Sequence, residues 1–358
     1  MRYRMFVPSV FATLLLVVAA SSFTEARPSA HHLVKFDVSG SGTGSGQGTS
    51  PFQILSDGTI LGNYIDSGNV THGFLRSPNG TIATFDAPGA GTGSGQGTFP
   101  AAVNSNLTVV GYYPDPSGVY HSFIRSPGGT FTKFDDPSAG TGAGKGTFAS
   151  DINTNGLIAG TYSDSSGVWH GFLLSTGGRF LNFDDPSAGT GPGQGTGVSG
   201  TSGLTDTGAV AGSYTDSGNV VHGFLRSPAG TFSTIDPLGS VQTDVIGLSA
   251  IETVSGYYFD STGSFHGFTS INGVTTSFDA PNSLDTTANN INPQGTTAGY
   301  YFDSSKLAHA YLRFTGGTFF EFSVPGAADT SAAFSNSSGQ ITGVYFDSNN
   351  ASHGFVVE

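Results

Sequence analysis

Seven times the chain repeats one pattern: Gly-x-Tyr-x-Asp, five further residues, then a histidine followed in five copies by Gly-Phe. The aspartates are Asp66, Asp115, Asp164, Asp216, Asp260, Asp303 and Asp347. Each has a histidine six residues on: His72, His121, His170, His222, His266, His309 and His353. Successive aspartates stand 43 to 52 residues apart. A period of that length marks an array of small units, each burying its apolar surface against its neighbours.

One unit reads as four strands. Residues 147–152 are extended, and Asn153-Thr154-Asn155-Gly156 is a turn by its residue types. Residues 157–162 alternate toward Asp164, and Ser165-Ser166-Gly167 turns the chain again. Residues 168–175 carry Trp169, His170 and Phe172, Thr176-Gly177-Gly178 is a third turn, and residues 179–183 form a fourth strand before Asp184-Asp185-Pro186. No segment beyond the N-terminal leader shows helical periodicity.

Four-stranded antiparallel units in sevenfold repetition predict an all-β, seven-bladed β-propeller. Leu33-Val34-Lys35-Phe36-Asp37 matches a fourth strand with no first three before it, while the last copy stops after its third strand at residues 353–358. The N-terminal strand is therefore expected to complete the C-terminal blade, removing two free sheet edges. A β-solenoid is the competing architecture, but its coils are usually shorter and need no strand returned from the other terminus.

Residues 1–26 read as a secretory leader, with Arg2 and Arg4 before an apolar stretch from Phe6 to Ala20 and small residues ahead of the cleavage region. The apolar run is short for a retained membrane anchor. The propeller is then one domain over residues 31–358. The chain has no cysteine and only four lysines, and its formal charge of −13 becomes −14 once Arg2, Arg4 and Glu25 are removed. A nucleic-acid partner needs a basic footprint, which is missing. Glycine contributes 55 residues and charged residues 10%, a composition that could suggest disorder, but the 12% of aromatics recur at fixed repeat positions.

The repeats resemble the extracellular repeat family named for its His-Ala-Phe (HAF) signature, over nearly the whole chain beyond the leader. Five copies here read His-Gly-Phe, His121 is followed by Ser122-Phe123, and His309 by Ala310-Tyr311. The resemblance implies a secreted bacterial β-propeller with no defined biochemical activity, and it carries over no catalytic residue.

The motif itself reads as structural. In a hairpin with Asp66 opposite His72, Tyr64 opposite Phe74 and Gly62 opposite Arg76, the Asp, His, Tyr and Phe side chains share one sheet face. Each Asp–His pair would latch its hairpin by a charge-assisted hydrogen bond. The rival readings are metal binding and general-base chemistry. A metal needs three or four converging ligands, and a catalytic site needs one special copy among seven. The Asp-Ser-x-Gly turns offer one carboxylate per loop, fewer oxygens than calcium takes, and read as Asx turns. Phe-Asp-x-Pro recurs at residues 85–88, 134–137, 183–186 and 278–281, with a core phenylalanine and a strand-ending proline. No metal, cofactor or catalytic residue is expected.

One feature breaks the symmetry. Glycine-rich octapeptides occupy residues 42–49, 91–98, 140–147 and 189–196, one every 49 residues, and the later repeats lack them. They are expected to form a crescent on the face carrying the Asp turns. Gln47, Gln96, Lys145 and Gln194 are the candidate ligand-binding residues, alongside open backbone amides suited to hydroxyl-rich ligands. No helix follows Gly-Lys-Gly-Thr at Lys145, so it is not a phosphate loop. A flexible spacer spread by duplication is the bland alternative. The expected function is a secreted, non-enzymatic, monomeric binding or scaffold propeller for extracellular glycan or a cell-surface protein. The alternatives are a polysaccharide lyase or glycosidase on the loop face and a purely structural envelope protein, which fold alone does not separate.

Overall fold

The computed structural model describes residues 32–200 and 202–358; the leader expected over residues 1–26 lies outside them. Every regular element among the described residues is a β-strand. The strands form seven antiparallel units whose strands pair in sequence order: residues 48–85, 99–134, 146–183, 195–235, 242–278, 285–322, and 329–357 together with 33–36. These are blades 1 to 7 of a β-propeller.

Closure follows the sequence expectation. Leu33–Phe36 runs antiparallel to Ser352–Val357, pairing Leu33 with Val357 and Phe36 with Gly354. The Asp37 carboxylate accepts from His353 Nδ1 at 2.9 Å, and Lys35 Nζ donates to the Pro325 carbonyl at 2.8 Å. The ring is thus latched by hydrogen bonds between residues 290 or more positions apart in sequence.

The core lies between blades. Phe74, Phe123, Phe172, Phe224, Phe268, Tyr311 and Phe355 are each almost wholly buried. They occupy the third strands, two residues after each histidine. Each packs over the glycine of Gly-x-Tyr directly opposite, as Phe74 does over Gly62. The fourth-strand phenylalanine does the same one step out. Phe85 and Phe183 lie on Gly73 and Gly171, the middle residue of His-Gly-Phe, where a Cβ would overlap the ring. This explains most of the departure from a His-Ala-Phe signature: the middle residue is a floor for an aromatic ring. In blades 2 and 6 the floor is Ser122 or Ala310, and the facing Phe134 and Phe322 are less buried than Phe85 and Phe183.

Two polar rings tie blade to blade. At one end of the inner strands a threonine, from Thr49 to Thr330, is almost completely buried in all seven blades. Its Oγ1 accepts the N–H of the residue two beyond the preceding fourth-strand aromatic, as Val38 donates to Thr49 and Ala87 to Thr98. Thr243 has no partner, because the corresponding residue is Pro237, which has no N–H. At the other end, turn asparagines reach the next blade: Asn104 Nδ2 donates to Asn153 O at 3.1 Å, Asn153 to Thr205 O at 3.1 Å, Asn292 to Asn336 O at 3.3 Å and Asn336 to Leu55 O at 2.8 Å. Buried polar groups without partners would cost about 1–3 kcal/mol each.

Candidate functional site

The histidines come first, because their surroundings differ from the expected pairing. In the blade 1 hairpin Tyr64 stands opposite His72, and Gly62 opposite Phe74, two residues away from the expected register. Because the shift is even, the same side chains still share a face. The reason is the turn. Asp66 lies outside the strand pair, and its Oδ1 accepts the N–H groups of Gly68 and Val70 at 2.8 and 2.9 Å, closing an Asx turn. That leaves Tyr64 to stack on His72, with ring centroids 4.7 Å apart and planes 19° from parallel.

Each histidine therefore meets its turn aspartate only through Nε2: 3.5 Å for His72–Asp66 and His121–Asp115, 3.8 Å for His170–Asp164, 3.5 Å for His222–Asp216, 3.6 Å for His266–Asp260, 3.1 Å for His309–Asp303 and 3.7 Å for His353–Asp347. The nearer partner in blades 1 to 5 is the aspartate after the fourth strand, that of Phe-Asp-x-Pro or, in blade 4, of Ile235-Asp236-Pro237. Nδ1 lies 2.8 Å from Asp86, 3.0 Å from Asp135 and Asp184, 2.8 Å from Asp236 and 2.9 Å from Asp279. In blade 6 Ser323 replaces it at 2.8 Å. The imidazole is a bridge between the second–third turn and the fourth strand. The signal was in the sequence: an aspartate 13 or 14 residues after five of the histidines.

The electrostatics agree with that role. The hydroxyl and amide of Ser117 and the Val119 amide hold Asp115 down at about 2 despite some desolvation. Asp260 sits at about 2 for the same reasons, led by the Thr262 hydroxyl. Burial disfavours a charged His266, but Asp279 and Asp260 outweigh it and raise its pKa. No group of three or more His, Asp or Glu side chains among the described residues converges as metal ligands would.

The glycine-rich loops lie against the Asp turns. Gln47 Oε1 accepts from Gly44 N–H at 3.0 Å, and its Nε2 donates to Asn69 Oδ1 at 2.9 Å. Gln194 repeats both bonds, to Gly191 and Asn219, at 2.9 Å. Gln96 accepts from Gly93 at 2.9 Å and donates to Asp115 O at 3.2 Å, while Lys145 Nζ donates to Ser165 O. On the other side, Gly46, Gly95, Gly144 and Gly193 donate to the second–third turn of the preceding blade. Each loop thus spans two blades. Gly48, Gly97, Gly146 and Gly195 bridge to the preceding third strand so closely that a Cβ would overlap its carbonyl. Two later blades use a carboxylate instead: Asp285 and Asp329 accept from Phe265 and Ala308 N–H at 3.0 and 2.7 Å.

Beside this crescent opens a cavity of about 580 Å³. Its wall is aromatic: Tyr112, Phe148 and Trp169 line it, with Phe148 5.2 Å from Tyr112 and 5.4 Å from Trp169. Phe99 stacks on Tyr112 from behind at 5.4 Å and 8°. Its opposite side is small, because blade 4 has Gly197 and Ser213 where blade 2 has Phe99 and Tyr112. Gly193 and Gly195 of the fourth loop complete the rim. No carboxylate or imidazole lines it, so the two carboxylates a glycosidase places across a cleft are not in this cavity. Sequence reading missed the site because these aromatics sit between the repeat's fixed positions. The residue before each histidine runs Thr71, Tyr120, Trp169, Val221, Phe265, Ala308, Ser352, and of these Trp169 is the one that lines the cavity.

No protein-family model matches the chain, and no curated protein does. Solved structures match its fold. A puromycin hydrolase S511A mutant complexed with PGG aligns at TM-score 0.55 and 13% identity, over 85% of this chain and 50% of that one. The β-propeller domain of the Trilobed protease from Pyrococcus furiosus aligns at TM-score 0.50 and 7% identity, over 86% and 95%. The BP39L lectin from Burkholderia pseudomallei aligns at TM-score 0.49 and 10% identity, over 79% and 83%. At these identities the likeness to the hydrolase and to the Pyrococcus β-propeller domain is one of fold alone. The Pyrococcus domain has an open velcro topology; this ring is latched by Leu33–Phe36.

Proposed function

We propose that the chain is a secreted, non-enzymatic binding propeller of the bacterial cell exterior, and that its ligand is a glycan seated on the Tyr112–Phe148–Trp169 wall. The leader-like residues 1–26 and the His-Ala-Phe resemblance support the compartment. The aromatic wall carries the ligand class. Sugar rings present apolar C–H faces that pack on aromatic faces, while their hydroxyls need donors and acceptors at the rim. The fourth glycine-rich loop borders the wall through Gly193 and Gly195, and in this reading a longer ligand extends from there along the crescent to Gln47, Gln96, Lys145 and Gln194. The wall is asymmetric on an otherwise repetitive ring, and function tends to sit in loops held by a rigid scaffold.

The chain has one tryptophan, Trp169, so its fluorescence reports the seat directly. An array of extracellular glycans and polymers is screened for binding and for turnover, and hits are titrated against the fluorescence. A bound oligosaccharide should shift the Trp169 emission, and Tyr112→Ala should weaken binding about tenfold or more. Gln96→Ala with Lys145→Ala, or shortening the loop at residues 91–98, should weaken it through the rim. Hits that leave Trp169 unmoved and ignore Tyr112→Ala would overturn the seat, and turnover of any polymer would favour the lyase or glycosidase reading.

A further inference from the structure

At four blade interfaces an arginine of one blade lies over the fourth-strand phenylalanine of the blade before it. Arg76 stacks on Phe36 at 5.0 Å, Arg125 on Phe85 at 4.9 Å, Arg226 on Phe183 at 4.8 Å and Arg313 on Phe278 at 4.3 Å. The cation is attracted to the ring face. Arg125 and Arg226 also donate through Nη1 to the next residue's carbonyl, Ser126 and Ser227. The ring recurs at all four interfaces as a guanidinium seat, and at two of them a carbonyl completes it.

Between blades 2 and 3 the ring is present and the cation is missing. Leu174 stands at the arginine position, opposite Phe180 as Arg125 stands opposite Phe131 and Arg226 opposite Phe232. Its side chain is buried but shorter than arginine, and a cavity of about 480 Å³ opens there. Phe134 lies in its wall with Ile124 and Phe180. Ser175, the counterpart of Ser126 and Ser227, lies in it too, and its carbonyl already accepts from Gly178 as theirs do from Gly129 and Gly230. Thr132, Thr154, Asn155 and Thr176 form an exposed polar rim, and no lysine or arginine lines the cavity. The other interfaces without the arginine lack the seat for different reasons. Blade 4 offers Ile235 in place of the ring, and at blade 7 Val357 is packed in a cluster with Leu33, Phe314 and Phe320 around Phe322.

We propose that the cleft between blades 2 and 3 is a docking site for an arginine side chain of a protein partner, whose guanidinium would stack on Phe134 and donate to the Ser175 carbonyl. The occupant is stated by the protein itself, since four sister interfaces place that group over the corresponding ring and two of them also bond it to the corresponding carbonyl. Formal charge of −13 favours a cationic visitor over an anionic one. Arginine is preferred over lysine because the seat is planar and the guanidinium is the more weakly hydrated cation.

The test follows methyl NMR signals of Ile124, Ile158 and Leu174 while N-acetyl-arginine-N-methylamide is added to the full chain. Its lysine counterpart and 1-pentanol serve as controls. Saturable shifts should appear with the arginine compound, several-fold weaker ones with lysine, and none in Leu174→Arg, which fills the seat from within and should raise Tm by about 1 °C. Phe134→Leu, a second variant that keeps an apolar wall, should also lose the arginine shifts. Equal response to both cations, preference for pentanol, or arginine shifts that survive in Leu174→Arg or Phe134→Leu would each overturn the proposal.

Discussion

Gly171→Ala puts the ring-on-glycine packing to a quantitative test, because two effects of opposite sign compete at one atom. Adding a methyl to a strand glycine lowers the entropy of the unfolded chain and should stabilise by about 0.4–1 kcal/mol if the folded backbone tolerates it. Gly171 has no positive φ, so it does. Against that, a Cβ on Gly171 would stand 2.5 Å from Phe183 Cζ and nearer still to Cε2, where carbon atoms rest at about 3.5–4.0 Å. The ring would have to retreat by about 1 Å or more. It is buried, and the Arg226 guanidinium lies on it at 4.8 Å with Phe232 6.1 Å away, so the displacement is passed on to both. Overpacking of this kind costs about 1–3 kcal/mol. The net expectation is destabilisation by about 1–2 kcal/mol, a fall in Tm of about 1.5–3 °C for a domain of roughly 330 residues. Denaturant melts of Gly171→Ala, Phe183→Leu and the double variant measure the coupling, which should be about 1 kcal/mol and favour the double variant. A Gly171→Ala protein as stable as the parent or more so would show that backbone entropy wins and that the glycine is not there for the ring.

Asp164→Ala should cost more stability than Asp184→Ala, about 1 kcal/mol against a few tenths, because Asp164 caps the N–H groups of Ser166 and Val168 while Asp184 reaches only a part-exposed imidazole. Thr196→Val should destabilise by about 1–2 kcal/mol by stranding the Asp185 N–H, whereas Thr243→Val, with no partner to lose, should be neutral or stabilising in the same melts. Acid should act in two windows. Asp115 and Asp260, held at about 2, contribute stability that is complete above about 3.8 and lost as pH falls toward 2. Asp151 works the other way: burial pushes it up to about 6 against the N–H groups of Ile152, Leu204 and Gly203, so stability should decline as pH rises from about 3.8 to 6, by up to about 3 kcal/mol. Asp151→Asn should flatten that decline in a pH series of urea midpoints.

The blades and their closure were legible because every unit repeats its turn residues and its Tyr, His and Phe positions, and because Leu33–Phe36 carries a fourth-strand signature without a blade. The hairpin register was misjudged by two residues, since a pairing drawn from Asp66 to His72 ignores that an aspartate ahead of Ser-Gly is more useful capping Gly68 and Val70. The partnership of His72 with Asp86 was hidden because it joins third and fourth strands, whose relative position depends on a turn. Gln47, Gln96 and Gln194 stood out by repetition, and in the structure that repetition accompanies a repeated set of hydrogen bonds across the loops. The aromatic wall of Tyr112, Phe148 and Trp169 was obscured for the opposite reason: it is where the repeats disagree.

The latch of Leu33–Phe36 on Ser352–Val357 also sets an order of events. The first of the described strands is paired with the last of them, and at about 5–20 residues per second their syntheses are separated by roughly 15–65 s. Throughout that interval the early strand can find close likenesses of its proper partner in Thr71–Arg76, Trp169–Leu174 and Val221–Arg226. What spares it is that each of those third strands soon receives its own fourth strand from the chain just behind it, a nearby segment with little loop entropy to overcome. Among the described third strands, Ser352–Val357 takes its fourth strand from Leu33–Phe36 instead. The closing bond is therefore available only once Ser352–Val357 has been made, so a ring that shuts is at the same time a record that all seven blades have been synthesised.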